Sequence, residues 1–126
     1  MAYRVSQAEF GELVEKAMAE LPEEFAKYVA EVPIEVAAVP TRQQMLSVGL
    51  EAGHLLLGLY HGRARTQRNV EDSGVMPDVI YLFQRNIEQV CDSRQQLVSQ
   101  VRKTLLHEIG HHFGMDEEEL DELGYG

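Results

Sequence analysis

The chain has 126 residues, a length typical of one domain with a single modest core, and we predict a single domain over residues 1–126. Its 21 acidic residues outnumber its 11 Lys and Arg residues and give a net charge of −10, which repels nucleic acids and anionic membranes and argues against both as partners. The hydrophobic content of 44% is that of an ordinary globular protein.

The apolar segments of the chain favour a soluble, cytoplasmic protein. Residues 1–10 include Arg4 and Glu9 and lack the apolar segment of a signal peptide. The longest apolar stretch, residues 55–60, is too short to span a bilayer. The single Cys91 cannot form an intramolecular disulfide, and we expect a buried free thiol there rather than a zinc ligand or nucleophile. The sequence does not indicate an oligomeric state.

The first half of the chain predicts two helices and a strand. Apolar residues recur at helical spacing over residues 6–20, and Ser6 and Glu9 have the spacing of a capping box. Pro22 predicts the start of a second helix, which extends to about residue 30. Residues 32–39 have strand character, and residues 41–53 predict a loop with some helix.

The second half of the chain predicts strands followed by helices. Its predicted elements are a strand at 55–60, a turn at 61–62, a candidate return strand at 63–68, a loop at 69–76, a strand at 79–83 and a helical turn at 86–90. A long helix from Arg94 to about Phe113 has Ser93 and Gln96 at capping-box spacing, and a short helix follows at 117–123. The predicted buried face of the long helix consists of Leu97, Val98, Val101, Leu105 and Ile109. This order of elements predicts an α+β fold.

The most informative motif lies near the end of the long helix, where residues 107–111 read His-Glu-Ile-Gly-His. Two histidines four residues apart share one face of a helix, so their ring nitrogens can converge on one metal ion. Zinc is the expected ion because imidazole suits it and a catalytic site keeps one coordination position open. Glu108 would then serve as the general base of a hydrolase, taking a proton from water and passing it to the leaving amine.

Residues 107–117 extend the motif to HExxHxxGxxE. This pattern resembles that of the small bacterial zincin-like metallopeptidases, a compact branch near the metzincins, and the likeness continues in residues 56–62, 77–83 and 122–125. The resemblance implies a minimal zincin-like fold, in which a small mixed sheet packs on a long active-site helix between N-terminal and C-terminal helices. It also implies a zinc-dependent metallopeptidase that acts on a peptide or an extended polypeptide.

In this family a carboxylate typically provides the third zinc ligand. The resemblance therefore implies a zinc site made of His107, His111 and Glu117, with Glu108 as the base. The glycine at position 114 would allow the chain to reverse so that Glu117 returns toward the histidines, and Asp116 is the rival ligand.

Other polar residues are candidates for supporting roles. Tyr125 is a candidate donor to the oxyanion of the transition state, although a tyrosine that closes the core is an equally good interpretation. His61 and His54 are alternative donors, and His112, which points about 100° away from its neighbour around the helix, is expected to be structural or to line the cleft. The strand at 79–83, or else the strand at 55–60, would offer its edge to an extended peptide.

The sequence departs from the metzincins after the motif. Nine residues follow Glu117 and none is the methionine of a metzincin turn, so we expect a shallow groove and weak selectivity. One alternative function is a non-catalytic, metal-stabilised peptide-binding module. A second, a zinc-dependent ribonuclease of the small bacterial rRNA-maturation type, is disfavoured because such enzymes use a third histidine and a basic cleft, whereas no histidine follows position 112.

Overall fold

The structure is a computed structural model that describes residues 3–29, 32–49, 55–61 and 79–112, without the side chains of residues 24, 28, 29, 111 and 112. Eight elements lie in these ranges. In chain order they are α1 (Gln7–Ala19), α2 (Glu23–Val29), β1 (Ile34–Ala37), α3 (Arg42–Ser47), β2 (Gly58–His61), β3 (Val79–Phe83), α4 (Gln84–Gln89) and α5 (Arg94–His112). The predicted return strand at 63–68, loop at 69–76 and final helix at 117–123 lie outside the described residues.

Both long helices begin at the predicted caps. Ser6 precedes α1, and its Oγ accepts the Glu9 N–H at 3.1 Å. Ser93 precedes α5, and its Oγ accepts the Gln96 N–H at 3.2 Å. The Gln96 side chain accepts the N–H of Asp92 at 2.6 Å. In an ordinary capping box it would accept the N–H of the cap residue itself, Ser93. Local hydrogen bonding therefore fixes where the helices start.

Helix α3 accounts for part of the segment predicted as a loop with some helix. Thr41 caps it, because the Thr41 hydroxyl accepts the Gln44 N–H at 3.0 Å and the Gln44 side chain accepts the Thr41 N–H at 2.9 Å. No residue of this six-residue helix is buried. Its capping box, rather than an apolar face, explains why it is helical.

The three strands form the expected small mixed sheet, in the order β1-β3-β2. Strand β1 pairs in parallel with β3, and β2 pairs antiparallel to it. The strand at 79–83 is therefore central, and the prediction that it offers an edge to a peptide was wrong, whereas β2 lies at an edge among the strands that the structure describes. Strand β2 also begins at Gly58 instead of residue 55, and His61, predicted in a turn, pairs with Val79.

Helix α5 is the element around which the core is built. It contacts α1, α2, α4, β2 and β3. Its predicted apolar face is buried throughout, from Leu97 to Ile109. Four residues of α1 pack into the same core: Phe10, Leu13, Val14 and Ala17. The chain thus has the α+β architecture of a minimal zincin-like fold, with its small sheet packed on the helix that carries the HExxH motif.

The described helices and the single cysteine each bear on an expectation from the sequence. None of the helices in the described ranges is long and apolar enough to cross a membrane. Cys91 is free and only 1% exposed, as expected. Burial raises the pKa of the Cys91 thiol, and the neighbouring charge of Asp92 raises it further, so the thiolate that a metal ion or a nucleophilic reaction needs is disfavoured.

Candidate metal and catalytic site

Helix α5 runs without interruption through the HExxH motif. His107 is half-buried, Glu108 is 8% exposed, and His111 follows one turn later in the same helix. Their helical spacing places the two histidines on one face, as the motif predicts. Within the described ranges no group of three or more His, Cys, Asp and Glu residues could hold a metal ion. Glu117, Asp116 and Tyr125 lie outside those ranges.

The donors that α5 provides fit a zinc ion. Two imidazoles at i and i+4 supply the nitrogen ligands that zinc favours, and a catalytic zinc site uses three protein ligands in all. His107 borders a cavity, where an open coordination position would be accessible to a substrate. The chemistry of the two imidazoles is therefore compatible with the resemblance, which implies a third ligand after α5.

A cavity of about 410 Å³ lies between the start of β2 and the outer face of α5. We call it the β2–α5 cavity. Residues 56–58 form its wall on the strand side, and the helix contributes Gln100, Lys103, Thr104, His107 and Glu108. The base predicted from the motif and the first predicted ligand thus share one cavity with the edge strand of the sheet.

The close approach of α5 to the sheet depends on Gly58, which is buried. A Cβ atom at this position would lie 2.6 Å from Thr104 Cγ2, 3.1 Å from the Tyr81 carbonyl oxygen and 3.5 Å from Glu108 Cγ. The first distance is far below van der Waals contact, so a side chain at Gly58 would require Thr104 to shift, and the Tyr81 carbonyl oxygen leaves little room on the other side. The absence of a side chain at Gly58 brings Glu108 within reach of the β2 backbone.

The backbone of β2 holds the Glu108 carboxylate. Beside β2, the Phe83 N–H donates to the Leu57 carbonyl at 3.0 Å. Because backbone groups alternate in direction along a strand, those of Gly58 and Tyr60 point away from β3, to the outer side of β2. There the Tyr60 N–H donates to Glu108 Oε1 at 2.8 Å. A partly buried hydrogen bond therefore links the predicted base to β2.

Helix α4 anchors the strand-side wall of the cavity. Asn86, which is 6% exposed, donates from Nδ2 to the Leu56 carbonyl at 2.8 Å. On the same helix, the buried Glu88 accepts the Val5 N–H at 3.0 Å and the Gln84 amide at 3.1 Å, and it pairs with Arg85 at 2.7 Å. Helix α4 thus joins the N-terminal segment to the segment that precedes β2.

The environment of Glu88 keeps this carboxylate charged. Burial alone raises the pKa of Glu88, but the hydrogen bonds from Val5, Gln84 and Arg85, together with the Arg85 charge, outweigh burial. The net result is a pKa below the ordinary value of 4.5. The anion is therefore the form that stabilises the fold at neutral pH.

The structure brings together His107 and Glu108 of the predicted site residues, whereas the side chain of His111 and all of Glu117, Tyr125 and His54 lie outside what it describes. His61 is exposed at the end of β2 and does not line the β2–α5 cavity.

Sequence reasoning missed Lys103, Thr104 and Gly58. Lys103 and Thr104 lie one helical turn before His107 and Glu108, so helical spacing counted backwards from the motif would have found them. A glycine within an apolar stretch would have pointed to the close backbone approach.

The comparisons with known proteins agree with this geometry. A search among curated proteins found no match. Among solved structures, a conserved hypothetical protein from T. thermophilus is similar, with 27% sequence identity, a TM-score of 0.54, and coverage of 94% of this chain and 97% of that chain. Residues 29–126 match the sequence profile described as zincin-like metallopeptidase. The match spans most of the chain and includes α5 and the motif, and the chain therefore belongs to the zincin-like metallopeptidase family.

Proposed function

We propose that the chain is a zinc-dependent peptidase in which Glu108 is the general base. One observation carries this proposal. Glu108 lies between a histidine of the motif and the edge strand, in the wall of a cavity, with Oε1 held at 2.8 Å from the Tyr60 N–H. A catalytic base must be held in one orientation beside the space where substrate binds, and this arrangement meets both requirements.

We assign zinc binding to His107, His111 and Glu117, with Asp116 as the alternative third ligand. Zinc at such a site supplies Lewis acidity, which makes water a better nucleophile and a carbonyl a better electrophile. Glu108 takes a proton from the attacking water and delivers it to the nitrogen of the leaving amine. The Tyr60 N–H holds the carboxylate in place during both transfers. Tyr125 remains our candidate for stabilising the oxyanion.

The edge of β2 supports an extended peptide as the substrate. The backbone groups of Gly58 point away from β3 and border the β2–α5 cavity, whereas the Tyr60 N–H is already bonded to Glu108. A peptide that adds to this edge by backbone hydrogen bonding would therefore pair at Gly58 and lie along the cavity. Its carbonyl group would then come close to Glu108 and His107.

The decisive experiment compares wild type with Glu108→Gln, each loaded with zinc, on a mixed peptide library. The amide oxygen of glutamine can still accept the Tyr60 N–H, so the variant should fold and keep its zinc, but it cannot take a proton and should lose hydrolysis. Glu12→Gln, at an exposed position of α1, is the matched control and should retain hydrolysis. Zinc content is measured in all three proteins.

Each contrary result has a definite meaning. Loss of zinc from Glu108→Gln would show that Glu108 is a ligand. If no zinc-loaded form cleaves any peptide, the proposal is wrong and the non-catalytic binding module is favoured. Cleavage of RNA, but not of peptides, under the same conditions would favour the ribonuclease.

A further inference from the structure

The β2–α5 cavity is bordered by a positively charged side chain that has no role in the proposed hydrolysis. Lys103 borders the cavity four residues before His107, which is one turn along α5. Its side chain is exposed and forms no ion pair with any residue in the described ranges. A lysine that borders a cavity beside a catalytic base can bind a negatively charged group of a substrate.

The other described residues that line the cavity suit a side chain that has an apolar stem. Leu56 and Leu57 are half-buried in the wall opposite the helix. Gln100 is held by a hydrogen bond of 3.2 Å from its Nε2 to Thr104 Oγ1, so its amide already has a partner. The volume of about 410 Å³ is at the lower end of ligand pockets, which leaves room for one side chain and some water.

We propose that the β2–α5 cavity receives the side chain of a substrate residue next to the scissile bond, and that Lys103 selects a carboxylate there. This inference rests on the proposed peptidase function, and it names the substrate class: extended peptides with Asp or Glu beside the cleaved bond. The methylene groups of that side chain lie against the leucine wall, and its carboxylate pairs with the Lys103 ammonium.

The net charge of the whole protein limits this preference to one carboxylate. A net charge of −10 repels strongly acidic peptides at long range. At physiological ionic strength that repulsion is screened beyond about 8 Å, whereas Lys103 acts at contact distance. The protein should therefore favour a single acidic residue within an otherwise neutral peptide and should not favour a polyacidic peptide.

Binding to zinc-loaded Glu108→Gln tests the inference without requiring turnover. The probes are fluorescent, C-terminally amidated neutral peptides in which one glutamate is moved through each position, with glutamine or lysine at the same position for comparison. At one position, glutamate should bind about two- to fivefold more tightly than glutamine, the range of an exposed ion pair. One further probe is a glutamine peptide with a free C-terminal carboxylate. It shows whether Lys103 selects the carboxylate of a side chain or that of the peptide's C-terminus.

Substitutions on α5 assign the preference to one residue. Added to Glu108→Gln, Lys103→Met should abolish the preference for glutamate, and Lys103→Glu should reverse it in favour of lysine. Arg102→Met is the matched control, because Arg102 is an exposed cation on the same helix that does not line the cavity. This control should keep the preference unchanged.

Three results would overturn the inference. They are equal binding of glutamate and glutamine at every position, a preference that survives Lys103→Met, and a preference confined to the free C-terminal carboxylate. Failure of the proposed function would give a different result. Peptides with one glutamate would still bind more tightly in a way that depends on Lys103, but the zinc-loaded wild type would cleave none of them.

Discussion

At Gly58 the sheet and α5 lie close together. The space for a Cβ atom is taken by Thr104 Cγ2 on one side and by the Tyr81 carbonyl on another. The same close approach allows Glu108, four residues after Thr104, to reach the β2 backbone. The absence of a side chain at Gly58 therefore permits both the close packing of α5 and the approach of the proposed base to β2.

Replacing Gly58 with alanine should destabilise the fold. The added methyl group would meet Thr104 Cγ2 at 2.6 Å, and overpacking of this kind costs about 1–3 kcal/mol in the free energy of unfolding. Thr104→Ser removes that methyl group, so Gly58→Ala should cost less in the serine background. Urea denaturation of the two single variants and the double variant measures the coupling.

Gly11 provides the control. It lies inside α1, and a Cβ atom there would meet nothing within 4 Å. Because alanine favours a helix interior over glycine, Gly11→Ala should raise the free energy of unfolding by about 0.5–1 kcal/mol. Equal destabilisation by both glycine substitutions would contradict the assignment of a steric role to Gly58.

Helix α4 is a short element whose buried residues are largely polar. Gln84, Asn86 and Glu88 are each less than 7% exposed, and all three form hydrogen bonds to distant parts of the chain. Because buried polar groups are stable only when they are paired, α4 has one acceptable position between the N-terminal segment and the cavity wall. Its contribution to stability should therefore depend on the charge of Glu88.

The stability that Glu88 provides should be lost in acid. Its pKa is lower in the folded protein than in the unfolded chain, so its contribution is fully present above the unfolded value and disappears as the pH falls through the folded value. The difference in unfolding free energy between wild type and Glu88→Gln should be largest near pH 6–7 and should shrink below about pH 4.5. Urea denaturation across this range measures it, with exposed Glu12→Gln as a control for loss of one charge. A difference that is independent of pH would show that packing, rather than ionisation, explains the effect.

Local patterns in the sequence predicted the helices better than they predicted the sheet. The caps at Ser6 and Ser93 and the apolar face of α5 depend on residues within a few positions of one another, and all were confirmed. The start of β2 was placed too early because the apolar residues 55–57 resemble a strand. Only pairing with β3 determines that the strand is Gly58–His61.

Long-range contacts explain what the sequence did not reveal about the site. The motif identified His107 and Glu108, which the structure places in one cavity. The hydrogen bond between Tyr60 and Glu108 joins residues 48 positions apart, and no local pattern indicates it. The assignment of the edge strand also depended on the order of the strands, which apolar periodicity does not encode.

In the whole molecule, the two histidines proposed to bind zinc lie on the helix around which the core packs. The inner face of α5 is buried against α1 and the sheet, and its outer face carries His107 and the cavity. The histidines are therefore positioned by the same packing that stabilises the fold. Because a ligand that binds only the folded state stabilises it, zinc binding should be visible as a change in global stability.

Zinc should raise the free energy of unfolding by about 2.7 kcal/mol at a free concentration about one hundred times its Kd. The measurement is denaturant unfolding of chelator-treated protein with and without zinc. His107→Ala should abolish the increase, whereas His61→Ala should retain it, because His61 is exposed at the end of β2, away from the cavity. An increase that persists in His107→Ala would place the zinc elsewhere.

The hydrogen bond from Tyr60 to Glu108 also has a consequence for how copies of the protein meet one another. An exposed edge strand presents unpaired backbone groups on which a strand from another molecule can form a continuous sheet. In β2, an edge strand among those that the structure describes, the N–H of Tyr60 is already bonded to the carboxyl group of Glu108, which lies directly at that edge. A second copy would have to displace this bond and bury the carboxyl group without a partner to continue the sheet there. The residue proposed to cleave peptides thus also opposes self-association along the edge that would bind them.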